Sequence, residues 1–532
     1  MFRGTFILGI GTLVSRILGL LREVVTAATF GMSAGGLMDA FVAAFRLPDV
    51  ARRFFGDGSL GVSFIPVFAK TWQEDRQKAW TLLSVTLYNV FLYLLIFVLV
   101  GELLCWIGIR YFHPEGRVAL TAQLLLLLLP YLILICMAAV CSAAMQALGR
   151  FTISTIVPPI LNVAWLFGLL VIAPFYSKDP EVQCYILTLC ILVAGIIQVL
   201  LHLPFLRKNG FQFNLNFALV SPEAKEVFKN FFPKIFGLTS IQLNVLSATC
   251  IAWFFSGGLE EPMRWLGGVL TYPLRPGAAA AIYYSERIYE FPQGIIGLAI
   301  AMAIYPLLSH HAARKNYNAL SEDLTLGLRI QFMLAIPAGC GLMVLSESLT
   351  HLLFQRGAFS AVDTARTTDM IFWFSTGIWA FCALPIIVRA FYTLGDIRTP
   401  CRLGLAGLFL NVMLGLLLIV PMQEQGLALA MSLTAGVQSI ALVYVFTQKH
   451  GHLNFPVLAT SLTRTCIAAG VMTIVIRMTV QAIPGPGSLD DILRIVLCTV
   501  VGVFVFFVVH RSLGGRELGI LFRSGLEKRK KK

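Results

Sequence analysis

A membrane-spanning segment should hold almost no formal charge. Yet the first long apolar stretch of this chain carries Arg16, Arg22 and Glu23, and the second carries Asp39, Arg46, Asp49, Arg52 and Arg53. A charge at bilayer depth costs about 3 kcal/mol on insertion scales and more in simulations, so these groups should face a protein-lined aqueous space and serve a purpose there. Guanidiniums in such a space suit an anion. Such a site could clamp a phosphate or diphosphate, because the planar fork donates parallel N–H bonds to paired oxygens. Positions seven apart share a helix face, so Ser15 aligns with Arg22 and Arg16 with Glu23, and the two rows form one broad polar stripe. Asp39, Arg46, Asp49 and Arg53 follow spacings of seven, three and four, with Arg52 beside them. Arg16 and Arg22 have few acids nearby and read as ligand groups. Arg46, Asp49 and Arg53 read instead as an ion-pair network that knits helices together.

A second set lies in SERIYEFPQGIIGLAI, where Glu286 and Glu290 share a face at i, i+4 and Arg287 sits about 100° around the helix. An arginine flanked by acids could complete a phosphate clamp, while the carboxylates keep it from closing irreversibly or couple it to cations. Other chemistry finds little support. The 11 cysteines are scattered without a CxxC pair, and of the eight histidines only His310 and His311 adjoin, at the end of a span. No metal site is expected from that pattern. No Walker A motif or nucleotide-binding segment is evident, so neither a cofactor nor direct ATP use is expected.

The elements that must position these residues are membrane helices. The chain has 532 residues, 58% hydrophobic and 13% charged, with a mean hydropathy of +0.81, values that exclude an ordinary soluble protein. A crossing helix needs about 20 apolar residues. On that criterion spans are expected near residues 4–30, 36–69, 80–110, 118–147, 153–175, 183–206, 228–256, 279–310, 324–347, 364–394, 401–420, 426–448, 457–481 and 490–511, about fourteen in all. The fold class is therefore an all-α polytopic bundle. The first segment carries internal arginines and lacks a small-residue cleavage site, which reads as a retained helix. Gly56-Asp57-Gly58 should break the second span, and backbone interrupted at depth is tolerated only where protein or water satisfies it.

The net charge of +14 falls largely in alternate short loops and in the KRKKK tail, Lys528 to Lys532. That is a positive-inside pattern with both termini cytoplasmic, not a nucleic-acid surface. A weak internal repeat relates MQALGRFTISTIVPPILNV, Met145 to Val163, to FYTLGDIRTPCRLGLAGLFLNV, Phe391 to Val412. Each copy has a Leu-Gly turn, a basic residue, Thr, Pro and then Leu-Asn-Val. Two pseudo-symmetric six-helix lobes with substrate between them follow as a transporter architecture. The expected boundaries are 1–210 and 211–450 for the lobes, 451–512 for a C-terminal helix pair, and 513–532 for a basic cytoplasmic tail.

The strings SRILGLLRE (Ser15 to Glu23), MDAFVAAFRLPDVARRFFGDGSLGVSFIPVF (Met38 to Phe68), ERIYEFPQGIIGLAI (Glu286 to Ile300) and LFQRGAF (Leu353 to Phe359) closely resemble the MurJ/MviN lipid II flippases. These belong to the multidrug/oligosaccharidyl-lipid/polysaccharide exporter superfamily, and the resemblance covers nearly the whole chain. It implies fourteen helices, two six-helix lobes plus a C-terminal pair that helps form a lipid-facing groove. The implied activity is movement of undecaprenyl-diphosphate-linked disaccharide-pentapeptide from the inner to the outer leaflet of the cytoplasmic membrane by alternating access. That process involves no covalent chemistry, and cell-wall synthesis machinery is a possible partner besides membrane lipids. By matching motif, the family's cavity arginines fall on Arg16, Arg22, Arg52 and Arg287 and its cavity acids on Asp39, Glu286 and Glu290, beside Ser15 and Glu23.

Three features depart from the family pattern. Glu23, Asp57 and Glu286 exchange Asp and Glu relative to it. The segment from Gly257 to Gly277 is longer than usual and reads as an external loop lying on the membrane surface through Trp265 and Tyr272. The seventh span, KIFGLTSIQLNVLSATCIAWFF, lacks the acid of a sodium site reported in some relatives. Competing readings are a cation-coupled multidrug or other lipid-linked oligosaccharide exporter, a membrane scaffold for cell-wall enzymes, and a membrane glycosyltransferase.

Overall fold

The computed structural model describes the backbone of residues 2–33, 35–55, 59–212, 222–229, 240–258, 262–263, 271–451, 453–483, 485, 487–515, 517 and 519. In chain order its helices are α1 (Phe2–Phe30), α2 (Leu37–Phe55), α3 (Ser59–Glu74), α4 (Arg76–Phe112), α5 (Gly116–Ala147) and α6 (Phe151–Phe167). The last runs on through a π turn at Gly168–Ile172 into Ala173–Tyr176. Next come α7 (Pro180–Lys208), α8 (222–229), α9 (Ser240–Phe255) and α10 (Ala278–Pro292), which continues through a second π turn at Gln293–Gly297 into α11 (Leu298–Ala313). The chain closes with α12 (Tyr317–Phe354), α13 (Ala361–Ser375), α14 (Ile378–Thr393), α15 (Arg398–Lys449), α16 (Phe455–Ala482) and α17 (Ser488–Ser512).

The apolar runs make these segments helical, and short polar residues set where several begin. Asp75 caps α4 by accepting from the Gln77 and Lys78 N–H groups at 2.8 and 3.3 Å. Asp179 accepts from Glu181 N–H at 3.0 Å with Pro180 in the first turn of α7. Asn316 and Asn454 cap α12 and α16 in the same way. Each supplies an acceptor to a donor that has no partner within the helix.

Among the described residues nine helices are long and apolar enough to cross a membrane, or ten when α13 and α14, bent by 46°, count as one span. The chain is therefore a multi-pass membrane protein. Fourteen spans are not all recovered by that criterion: α1 is not among the ten, and three further differences have local reasons. Residues 56–58, where the Gly-Asp-Gly break was expected, lie outside the described residues, and α2 and α3 flank them separately. The first half of the seventh expected span also lies outside. The eleventh and twelfth spans are joined in α15, whose 52 residues would reach about 78 Å if straight, more than twice the hydrocarbon thickness. It is not straight. Gln423 has φ 54° and ψ −141°, and a Cβ on Gly426 would lie 2.4 Å from the Leu418 carbonyl, a contact only a reversal of the chain allows. Arg366 Nε donates to Glu424 at 2.5 Å and Gln425 to Asp369 at 2.8 Å, pinning that reversal to α13.

The chain divides into two compact units, Met1–Ala280 with Arg356–Ser360, and Ala281–Gln355 with Ala361–Lys532. In the first, α5 is the central element, packed on α2, α3, α4 and α7, while α1 packs on α6. In the second, α12 holds that place. Met333 and Leu345 of α12 share a buried cluster with Ala468, Ala469, Met472 and Ile476 of α16 and Cys498 and Phe506 of α17.

The reversal in α15 brings its two ends together at Asp396, in the turn that precedes it. Burial would raise this carboxyl, but hydrogen bonds from the Thr399 hydroxyl and N–H and from Lys449 hold it down at about 2. Those donors lie at 2.7, 3.0 and 3.3 Å. A depressed carboxyl stabilises the fold above its unfolded pKa, and that contribution is lost as pH falls through the folded one. Asp396→Ala should cost about 1 kcal/mol near neutral pH. In detergent melts the gap in Tm from the parent should close as pH falls from about 4 towards 2.

Candidate functional site

In the first unit, Arg22 and Arg16 part company. Arg22 is buried, Arg16 is exposed. The Arg22 guanidinium lies 4.5 Å above the Trp165 ring, donates through Nη1 to Asn162 Oδ1 at 3.0 Å, and pairs through Nη2 with Glu23. Asn162 also donates to the Ser15 carbonyl at 3.1 Å, so the expected alignment of Ser15 and Arg22 is realised as two ends of one amide. Trp165 is fully buried, its Nε1 donates to Thr26 at 2.9 Å, and the rings of Phe41 and Phe45 meet it edge-on at 5.4 and 5.3 Å. A desolvated cation over an indole is worth about 2 kcal/mol or more.

On α2, Asp49 accepts from both Arg52, at 3.0 Å, and Arg53, at 3.2 Å. Arg52 is the more open, with a third of its side chain exposed. Arg46 reaches elsewhere, donating through Nε to Thr249 of α9 at 3.1 Å. Asp39, at the start of α2, is fully buried. It accepts from the Gly277 and Ala280 N–H groups at 2.6 and 3.0 Å, so its carboxylate caps the N-terminus of α10 from a different helix. Negative charge is favoured there by the unsatisfied donors and the dipole. Arg117 stands 3.6 Å away; it also donates to the Ser256 carbonyl at 2.6 Å and sits over Trp253 at 5.4 Å.

In the second unit, Arg287 donates to Glu290 at 3.1 Å and rests 4.8 Å above the Tyr283 ring. Glu286, one position before it, is buried. Tyr289 stacks on Phe374 and Phe381, with centroids 4.6 and 5.3 Å apart, which fixes the opposite face of α10. The π turn follows at once. Such turns interrupt the regular hydrogen-bond ladder and recur at functional sites.

Unit by unit, Ser15, Arg22 and Glu23 therefore converge, as do Arg287 and Glu290. Arg16 joins neither cluster by any contact noted above, and Asp39 serves the helix start. Sequence reasoning passed over Trp165, Asn162, Arg117 and Tyr283. Of these only Asn162 left a signal, as the Asn of the repeated Leu-Asn-Val. Trp265, expected at the membrane surface, lies outside the described residues. Tyr272 covers Gly257, where a Cβ would lie 2.5 Å from its ring, and Ser256 bridges Leu274. The LFQRGAF motif also finds a place: Ala358 N–H donates to the Ala28 carbonyl at 2.8 Å, at the end of α1.

Long apolar helices holding ion-paired, aromatic-backed arginines, with broken helices beside them, are features of a polytopic membrane transporter. The chain belongs to the lipid II flippase MurJ family, whose profile matches residues 26–497. Among its relatives, probable lipid II flippases MurJ from Rhizobium tropici, Vibrio cholerae and Haemophilus influenzae are 27%, 29% and 30% identical. The alignments cover 98%, 81% and 82% of this chain and 96%, 80% and 86% of those proteins. A solved lipid II flippase MurJ in an inward closed conformation shares the fold with a TM-score of 0.76 at 20% identity, over 96% of this chain and 99% of that one. An inward-facing multidrug resistance MATE family transporter of the MOP superfamily is more distant, with a TM-score of 0.60 at 13% identity, over 80% and 98%.

Gly277 is the narrowest point of the α10 cap. It has φ +93°, and a Cβ there would lie 2.9 Å from the Met32 carbonyl. Gly277→Ala should cost about 2–3 kcal/mol, against about 1 kcal/mol for Gly35→Ala, where φ is also positive but nothing lies within 4 Å. Thermal melts of the two purified variants check the ranking.

Proposed function

We propose that this protein is a lipid II flippase: it carries undecaprenyl-diphosphate-linked disaccharide-pentapeptide from the cytoplasmic to the outer leaflet by alternating access, for cell-wall synthesis. Family membership supports the substrate. The observation that carries the mechanism is that Arg22, Arg52 and Arg287 each stand beside a carboxylate, Glu23, Asp49 and Glu290 respectively. An arginine left alone in an apolar bundle is strongly destabilising, whereas a paired one is tolerated and can still exchange its acceptor. A diphosphate offers such an exchange, two clusters of anionic oxygen for planar donors. In this reading Arg16, Arg22, Arg52 and Arg287 bind the diphosphate. Ser15, Glu23, Glu286 and Glu290 orient those arginines or release them, and Asp39 holds the start of the helix that bears Arg287.

The step forms and breaks no covalent bond. The prenyl tail stays in lipid while the headgroup crosses, with residues 1–210 and 211–450 as the two lobes and 451–512 as the C-terminal pair. Both termini lie in the cytoplasm, and the membrane is the cytoplasmic, or inner, one. The fold shared with a multidrug transporter would suit a drug exporter as well, but a cationic drug gains nothing from guanidiniums.

A conditional strain lacking its own flippase provides the test. The parent protein should restore growth and expose lipid II at the outer leaflet; a protein that is inserted but does neither would refute the assignment. Arg22→Ala and Arg287→Ala should each abolish rescue at normal membrane levels. Arg287→Lys should recover little of it, because an ammonium cannot donate in parallel to paired oxygens. A scaffold would tolerate all three.

A further inference from the structure

We infer that Asn162 and Trp165 of α6 are positioning residues that hold the Arg22 guanidinium in its headgroup-binding orientation. The inference rests on the reading of Arg22 as a diphosphate ligand. Both residues lie one turn apart on the face of α6 that packs on α1, and together they meet the guanidinium from two directions. The Arg22 guanidinium carbon lies over the indole ring, 4.5 Å from its centroid, and the Asn162 carbonyl accepts an N–H at 3.0 Å. A guanidinium held over a ring and by an amide acceptor has little freedom to move. It keeps that orientation even when Glu23 is no longer its partner.

Neither support is loose. Trp165 is fixed by its own donation to Thr26, and Thr26 in turn donates to the Arg22 carbonyl at 2.7 Å, closing a loop through the arginine it positions. Phe41 and Phe45 hold the ring from its edges. Asn162 is anchored by its Nδ2, which donates to the Ser15 carbonyl, so its carbonyl is turned towards Arg22. The two ends of the amide therefore have separable roles. The donor end fastens α6 to α1, and the acceptor end orients the guanidinium. The arrangement requires arginine, since lysine has neither a plane to stack nor a second donor direction. It also accounts for the Asn of the Leu-Asn-Val motif, which charge patterning left without a role.

The separable ends give the test. Purified full-length variants in nanodiscs are titrated with lipid II, and their melting temperatures are recorded alongside. Asn162→Leu should weaken lipid II binding about tenfold, the scale of a lost hydrogen bond to a charged group. Asn162→Asp, which keeps the acceptor and loses the donor to Ser15, should stay within about threefold of the parent. If Asn162 acts only in packing, the aspartate variant should lose affinity as the leucine variant does, and that result overturns the proposal. In an Arg22→Ala background Asn162→Leu should have almost no further effect, because residues that act through one another are not additive. Losses that simply add would overturn the positioning role while leaving Arg22 as a ligand. An Arg22→Ala protein that binds lipid II as tightly as the parent would overturn the diphosphate reading of Arg22, and the positioning role with it. Trp165→Phe, which keeps an aromatic face, should bind more tightly than Trp165→Leu at matched melting temperature; equal affinities would remove Trp165 from the account.

Discussion

A guanidinium taken out of water must be met by acceptors within a few ångströms, and much of this architecture follows from that demand. Arg22 is the clearest case. Its partners Asn162 and Trp165 come from α6, so satisfying one charge sets the contact between α1 and α6. Trp165 then orders Phe41 and Phe45, which places α2. That helix carries Asp39, Asp49 and Arg52, and it is tied to α9 through Arg46 and Thr249. Asp39 in turn sets where α10 begins. Arg22, Arg46 and Asp39 each hydrogen-bond a group on another helix, so satisfying them helps to place that helix.

The same demand separates residues that composition groups together. Arg16 and Arg22 occupy one helix and one stripe, yet one is exposed and the other buried. Arg52 and Arg53 share Asp49 but differ in exposure, 33% against 12% of the side chain, so Arg52 is the more open of the two. Pairing keeps buried charge affordable without fixing it permanently. The aromatic backing of Arg22 by Trp165 and of Arg287 by Tyr283 adds a non-exchanging contact to each exchangeable one.

What could be read in advance depended on how local the cause was. Helix content, the long spans and the placement of charged residues on α1, α2 and α10 follow from hydropathy and from spacing along one helix, and they were legible. So was the pairing of Asp49 with Arg53, an i, i+4 contact. The partners of Arg22 and Asp39 were not, because residues 140 and 238 positions away leave no mark in local pattern. A carboxylate that caps a distant helix looks, in sequence, like any other acid at depth. The break at Gln423 was legible only as a gap between two apolar runs. The two π turns had no signal beyond Pro292 and nearby glycines, since an extra residue in one turn costs little and leaves composition unchanged.

We propose that these arginines carry a diphosphate-linked headgroup across the bilayer. Proteoliposomes holding the purified protein and lipid II in the inner leaflet test it without the rest of the cell. Appearance of lipid II at the outer surface is followed with a membrane-impermeant reagent for its headgroup. Exposure should rise with protein content and be lost in the Arg22→Ala protein. Exposure no faster than in protein-free liposomes, or unchanged in that variant, would contradict it.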